Sequence, residues 1–272
     1  MSRVWITGAS SGIGEQVAYA YAREQAQLVL TASSPAKLEA VAAHCRESGA
    51  KEVVVVAYDL SQPQGIAELT LKVWNTYKGL DVAFLNAGIS QRTRVEDTSM
   101  EMVRQIMEIN YFAPVAIAKE LLTLYTSPLL ERGACAGGGE VLHIAVTTSI
   151  AGLFGFPLRC AYSSSKHALY GFFETLQAEN YDQGLRVTIV CPGRVNTPIS
   201  LRALDKGGKP HGVMDEGQAK GLSADRAARQ IVRAIRKSKR EVYVGKGELI
   251  MVYIKRLFPG VCAWIGRHVS AT

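Results

Sequence analysis

The chain is predicted to be a doubly wound α/β protein, a single domain with one parallel sheet and helices on both faces. Three observations predict it. Short runs rich in β-branched residues alternate with longer stretches of helical periodicity. A glycine-rich turn, Thr7-Gly8-Ala9-Ser10-Ser11-Gly12-Ile13-Gly14, follows the first such run and opens the first helix. The chain also has no internal repeat and no low-complexity linker across its 272 residues, a length that buries one large core without covalent staples.

The elements follow in order. Residues 4–7 read as a strand, 12–24 as a helix and 28–32 as a second strand. Ser34-Pro35 looks like a helix N-cap followed by proline at the first helical position, and that helix runs to about residue 48, where Gly49 stops it. Residues 53–58 form a continuous apolar run, expected of a strand covered on both faces. A helix at 66–77, a strand at 82–85 and one long helix at 100–125 come next. The glycine-rich stretch 133–139 reads as a connection rather than a domain boundary. A strand at 141–148, a helix at 162–181, a strand at 187–191, a helix at 224–236 and a strand at 241–244 complete the alternation.

Composition narrows the function classes. Five cysteines, an odd number without any CxxC pair, argue against a disulfide framework and against a zinc site. A reducing, cytoplasmic compartment is therefore expected, and no metal. The strand Arg3-Val4-Trp5-Ile6-Thr7 begins without a leader-like apolar segment before it, and no apolar run reaches the roughly 18 residues of a membrane span. The net charge is +7, but its one dense group, Arg233, Arg236, Lys237, Lys239 and Arg240, reads as a solvated helix end. No aromatic residues interleave it, so nucleic acid is not expected as a partner.

The glycine turn points to a dinucleotide. Residues without a Cβ let the backbone turn tightly and approach a pyrophosphate, and the helix beyond offers free N–H groups to the phosphates. Gly8, Ser10, Ser11, Gly12, Ile13 and Gly14 are the candidate contacts. The second strand ends Thr31-Ala32-Ser33-Ser34 without the acidic residue that would hold a ribose 2′-hydroxyl. Ser33, Ser34 and nearby Lys37 suit a 2′-phosphate instead, so NADP(H) is favoured over NAD(H), although no arginine stands there. Asp59, with Leu60, follows the third strand and suits an adenine amino group; a turn aspartate is the alternative. Asn86-Ala87-Gly88 ends the fourth strand, where ligands sit in such sheets. The asparagine there has a second reading, as a tie between strands.

The chemistry concentrates in Ser149, Tyr162 and Lys166. Ser149 falls just past a strand, and Tyr162 and Lys166 share a helix face at i, i+4 spacing. A free phenol has a pKa of about 10, too high for a base at neutral pH, and a neighbouring ammonium lowers it. Proton transfer by Tyr162 beside a hydroxyl that holds a carbonyl oxygen, coupled to hydride transfer, is the expected reaction.

These motifs together resemble the short-chain dehydrogenase/reductase family: TGASSGIG at 7–14, Asn86-Ala87-Gly88, Asn110, Ser149, Tyr162-Ser-Ser-Ser-Lys166 and Pro192-Gly193. The likeness spans roughly the first 200 residues. It implies a Rossmann-type sheet of about seven strands and a catalytic tetrad of Asn110, Ser149, Tyr162 and Lys166. It further implies that Asn110 holds a kinked helix and a proton-relaying water, that Lys166 binds the nicotinamide ribose, and that Pro192, Gly193, Val195 and Thr197 contact the nicotinamide end. Dimers or tetramers through the long helices are implied as well. One departure is Val146, where many members carry asparagine.

The expected organisation is a cofactor and catalytic core at 1–196, a substrate loop at 197–223 holding His211, Met214 and Asp215, and an apolar tail at 245–272. The segment 150–160 is apolar, which suggests a hydrophobic small-molecule carbonyl or alcohol. The tail has three readings: packing onto the domain, an oligomer contact, or peripheral contact with a membrane. Two rival functions stand beside the dehydrogenase. A non-catalytic cofactor-binding regulator would typically lack the tyrosine or lysine; a nucleotide-sugar epimerase would carry a different glycine spacing and extra length.

Overall fold

A computed structural model describes residues 1–127 and 141–268; the predicted connection at 133–139 lies outside them. The chain runs β1 (Arg3–Thr7), α1 (Gly12–Ala22), β2 (Gln27–Thr31), α2 (Pro35–Glu47), β3 (Glu52–Val55), α3 (Ile66–Thr76), β4 (Val82–Leu85), α4 (Met100–Met107), α5 (Ala113–Thr126), β5 (His143–Thr147) and α6 (Cys160–Asn180). It continues through β6 (Arg186–Pro192), β7 (Val195–Asn196), α7 (Glu216–Ala219), β8 (Leu222–Ser223), α8 (Ala224–Arg236), β9 (Glu241–Val244), α9 (Ile250–Leu257) and α10 (Pro259–His268).

Seven strands form one sheet in the order β3-β2-β1-β4-β5-β6-β9, and every pairing is parallel. The strands alternate their side chains between two apolar layers. Ile6, Leu28, Leu30 and Phe84 face α1, α2 and α8, meeting Val17, Leu38, Val41 and Ile231. Trp5, Val29, Ala83 and Leu85 face α3, α5 and α6, meeting Val73, Ile117, Leu121 and Phe173. With helices on both faces, all five residues of β1 are buried. Each large apolar side chain so covered contributes about 1.5–3 kcal/mol. The polar exceptions are paired: Trp5 Nε1 donates to Thr31 Oγ1 at 3.0 Å, and Arg3 forks onto Asp81 at 2.8 Å. The strand order reverses between β1 and β4, so a crevice opens over their carboxyl ends.

Three predicted elements differ. β3 is shorter than 53–58 and lies at the sheet edge, so Val54 and Val55 are only half-buried instead of covered on both faces. The single helix expected at 100–125 is interrupted by a π-turn at Glu108–Phe112, where the Ala113 N–H reaches back to Glu108 O. Pro114 explains the break. It has no N–H to give to the Asn110 carbonyl, and its ring crowds that turn. The tail forms two helices: α9 and α10 bury Val252 and Cys262 against Ile150, Phe154 and Cys191. Their outer face leaves Ile250, Tyr253, Leu257, Phe258, Val261 and Trp264 exposed. Among the described residues no helix is long and apolar enough to cross a membrane.

Candidate active site

The glycine turn is built as its sequence requires. Gly8 and Gly12 adopt φ of +66° and +63°, where a side chain is strained. A Cβ on Gly14 would stand 2.3 Å from Gly8 O and 2.7 Å from Asn86 Nδ2, so Gly14 is the point where α1 packs onto the turn. Ser11 occupies the N-cap of α1 in extended conformation but gives no side-chain cap. The first-turn N–H groups are left for another acceptor.

A cavity of about 340 Å³ lies over this turn and the carboxyl ends of β1 and β4. It gathers most of the residues singled out in the sequence: Gly8, Ser10, Ser11, Gly12, Ile13, Ser33, Asp59, Leu60, Asn86, Ala87, Gly88, Ser149, Tyr162, Lys166, Pro192, Gly193, Val195 and Thr197. Of the candidate cofactor and catalytic residues, Gly14, Ser34, Asn110 and Lys37 do not line it. Gly14 is buried in the helix contact. Ser34 stands at the N-cap of α2, turned from the cavity although it makes no side-chain cap there. Asn110 lies behind the wall.

Several of these residues do two things. Asn86 ties strands, since its N–H donates to Thr7 Oγ1 at 3.0 Å and its Oδ1 accepts from Thr147 Oγ1 at 3.1 Å; it also faces the cavity. Asp59 makes the turn contact, accepting from the Ser61 N–H at 3.0 Å, and lines the cavity too. Asn110 is fully buried in the π-turn: Oδ1 accepts from the Ile89 N–H at 2.8 Å, and Nδ2 donates to Ile89 O at 2.9 Å and Ser165 Oγ at 3.0 Å. The asparagine thus locks the segment after Gly88 onto α6.

Ser149 Oγ accepts from the Ala151 N–H at 3.1 Å. Lys166 Nζ donates to Thr147 O at 2.7 Å and lies 5.8 Å from the Tyr162 ring centroid. Burial draws the Lys166 pKa down to about 7. Burial also raises the Tyr162 phenol, while a hydrogen bond from Ser149 and the charges of Arg159 and Arg92 oppose it. The sequence suggested Lys166 as the cation beside the phenol; the charges that oppose its rise belong to Arg159, at the N-cap of the same helix, and to Arg92, from a distant loop.

Those arginines were not legible as site residues. Arg92 is buried and grips Asp215 with two nitrogens, Nε to Oδ1 at 3.2 Å and Nη2 to Oδ2. Arg159 reaches the same Oδ2 through Nη2 at 3.0 Å and lines the cavity. At the other end, Arg202 Nη1 donates to Ser11 Oγ at 3.1 Å and also lines the cavity. The sequence reading found no arginine at the end of β2; Arg202 instead reaches the glycine turn, from 191 residues away. The segment after Thr197 is tied down: the Leu204 N–H donates to Ser90 O and the Arg92 N–H to Leu204 O, both at 2.8 Å. β7 and β8 close its ends by pairing Val195 with Leu222.

A fold with a glycine turn, a serine at a strand end and a Tyr/Lys pair around one cavity defines a class of oxidoreductase, and sequence comparison places the chain within it. Residues 2–206 match the short chain dehydrogenase family, and the chain belongs to that family. It is 35% identical over 262 residues to dehydrogenase/reductase SDR family member 7B of Mus musculus, covering 95% of this chain and 78% of the relative. A Drosophila melanogaster dehydrogenase/reductase SDR family protein 7-like is 34% identical over 266 residues, covering 96% and 78%. Among solved structures, the alcohol dehydrogenase of the archaeon Thermococcus sibiricus, complexed with 5-hydroxy-NADP, matches with a TM-score of 0.72 at 30% identity, covering 91% of this chain and 97% of that one. A Burkholderia phymatum short-chain dehydrogenase/reductase in complex with NAD shares the fold, with a TM-score of 0.78 at 23% identity over 96% and 95%. The chain is thus an oxidoreductase enzyme on a Rossmann-type sheet, not a sugar-nucleotide epimerase or an inert cofactor binder.

Proposed function

We propose that this enzyme interconverts a ketone and a secondary alcohol with a nicotinamide dinucleotide, and that Tyr162 moves the proton. The observation that carries this reading is the convergence of Ser149, Tyr162 and Lys166 with the glycine turn on one cavity. The residues fit the cofactor. Gly8 lets the turn close onto Ala87, whose Cα a Cβ would meet at 2.8 Å, and Gly12 keeps a Cβ off Thr197; Gly8, Gly12, Ser10, Ser11 and Ile13 line the cavity at the first turn of α1. Pro192, Gly193, Val195 and Thr197 would border the nicotinamide, and Asp59 and Leu60 the adenine. The bound cofactor supplies the hydride. Ser149 orients the carbonyl oxygen, and Tyr162, kept protonated at neutral pH by burial, donates to it. This favours the reductive direction near pH 7. Lys166 holds the ribose and, with its lowered pKa, restores the proton to Tyr162. The Asn110 carbonyl, released by Pro114, accepts a hydrogen bond from the water that reaches Lys166.

NADP(H) is the preferred cofactor in this reading. The support is the absence of an acid after β2, Ser33 in the cavity wall, and Arg202 at Ser11. Residues 197–223 act as the substrate loop of a core formed by 1–196, and the apolar Ile89, Ile109, Pro198 and Ile199 in the cavity wall suit a substrate with a hydrophobic part. Half-exposed Phe112, beside α5, supports homo-oligomerisation through the long helices. The exposed face of α9 and α10 supports peripheral membrane contact of the 245–272 tail.

Tyr162→Phe tests the reading. Turnover is expected to fall at least about 100-fold, with cofactor affinity within about threefold of the parent. Retained turnover refutes it. In the same assays kcat/KM is expected to favour NADPH over NADH, with the ratio reduced in Arg202→Gln. A parent enzyme that prefers NADH overturns the cofactor assignment.

A further inference from the structure

Arg92 alone satisfies Asp215. Its two nitrogens take both carboxylate oxygens, and its remaining Nη1 donates to Ser90 Oγ at 3.2 Å and Gln91 O at 2.6 Å. Arg159 adds a second cation to a carboxylate already matched. Only one of its five N–H donors has a partner among the described residues, the Nη2 contact to Asp215, although its side chain is 22% exposed. Its other N–H groups are accessible, and Arg159 lines both the main cavity and the smaller one beside it, so an acceptor in either can take them.

A side cavity of about 50 Å³ opens next to this group, bounded by Ser149, Arg159, Arg194, Asp215 and Gly217. Arg194 lies across it, stacked so closely on Gly217 that a Cβ there would meet the guanidinium carbon at 2.7 Å. The Arg194 side chain has no carboxylate partner among the described residues. Two neighbouring acids are engaged elsewhere: Glu216 pairs with Lys220, and Glu248 accepts from the backbone N–H groups of Arg194 at 2.7 Å and Lys246 at 3.2 Å. Two guanidinium groups therefore border one small cavity with no free anion between them. The mutual repulsion lowers the Arg159 pKa, after burial and together with Arg92.

We infer that this arrangement is a subsite for an anionic group of the substrate, a carboxylate or a phosphate, held by Arg159 and Arg194 beside the carbonyl that Ser149 and Tyr162 address. A guanidinium fork matches either anion in geometry and charge. The substrate class becomes a ketone that carries an acidic group close to its carbonyl and an apolar part toward Ile89 and Ile199 in the main cavity. This inference deepens the proposed reaction and rests on its placement of the carbonyl.

The test separates binding from turnover. Calorimetry on the enzyme loaded with NADP(H) compares matched pairs: a keto acid with its methyl ester, and a ketone phosphate monoester with the free alcohol. At least one anionic member is expected to bind tenfold or more tightly than its neutral partner. Arg159→Met is expected to erase that preference, and Arg159→Lys to keep part of it, with cofactor affinity checking that each variant is folded. The two pairs distinguish carboxylate from phosphate. Equal binding of charged and neutral partners by the parent, or no binding of any, overturns the subsite. An anion preference that Arg159→Met erases supports it even if no compound is turned over, an outcome that would overturn the ketone reaction alone. A parent that reduces neutral ketones as well as anionic ones, without charge preference, sinks the subsite and leaves the reaction standing.

Discussion

Lys166 places a cationic side chain almost wholly out of bulk solvent, 3% exposed, and the cost should be measurable. Its folded pKa of about 7 lies below the ordinary value of about 10.4. Between these two values the unfolded chain holds the proton that the folded chain has released. Stability from this residue therefore rises with pH through that window, and the penalty is fully present below it. Lys166→Met is expected to raise stability at pH 7, because a buried charge replaced by an apolar group of similar volume is often stabilising by about 1–4 kcal/mol. By pH 9 that advantage over the parent should shrink by about 2 kcal/mol. Urea unfolding at the two pH values checks it; a constant difference contradicts the assignment. The lysine and Tyr162 were legible in sequence because i, i+4 spacing fixes their shared face. Arg92, Arg159 and Asp215 were not. Arg92 and Asp215 meet across 123 residues, and no local pattern encodes that distance. Gly14 and Ser34 show the converse limit, since their motif positions were plain while their facing depended on packing.

Among the elements, the long helix before β5 was half legible. Its periodicity was read correctly on either side and the resemblance implied a kink held by Asn110, but the proline at 114, which makes that kink a π-turn, was passed over. β3 was read too long because an apolar run does not tell an edge strand from a central one. The tail was read as a choice among packing, association and membrane contact. α9 and α10 pack through Val252 and Cys262, yet keep Tyr253, Leu257, Phe258 and Trp264 more than half exposed. Lys255, Arg256 and Arg267 stand on the same two helices, and the tail contains no acidic residue after Glu248. An in-plane helix pair of this kind suits anionic lipid. The enzyme is expected to co-sediment with vesicles containing phosphatidylserine and to be released by salt, with Trp264→Ser and Phe258→Ser together lowering binding at least fivefold. A protein that stays in the supernatant at low salt refutes lipid contact.

At the scale of the whole molecule, the doubly wound sheet was legible because each layer repeats one pattern, apolar strand then amphipathic helix, and parallel pairing follows from it. The segment between β7 and β8 was legible only as a long loop rich in glycine. It is fastened to residues 90–92, and it reaches both ends of the cavity. Arg202 touches Ser11 at the glycine turn, while Asp215 holds Arg92 and Arg159 beside Tyr162. Whatever settles one end of this strap settles the other, and such coupling is reciprocal, typically about 1–3 kcal/mol. The consequence is mutual: each ligand should bind more tightly to the enzyme that already holds the other. The same strap should give the second arrival roughly 5–150-fold higher affinity for the loaded enzyme than for the empty one. Equal affinity for both would mean that the two ends of the cavity move independently.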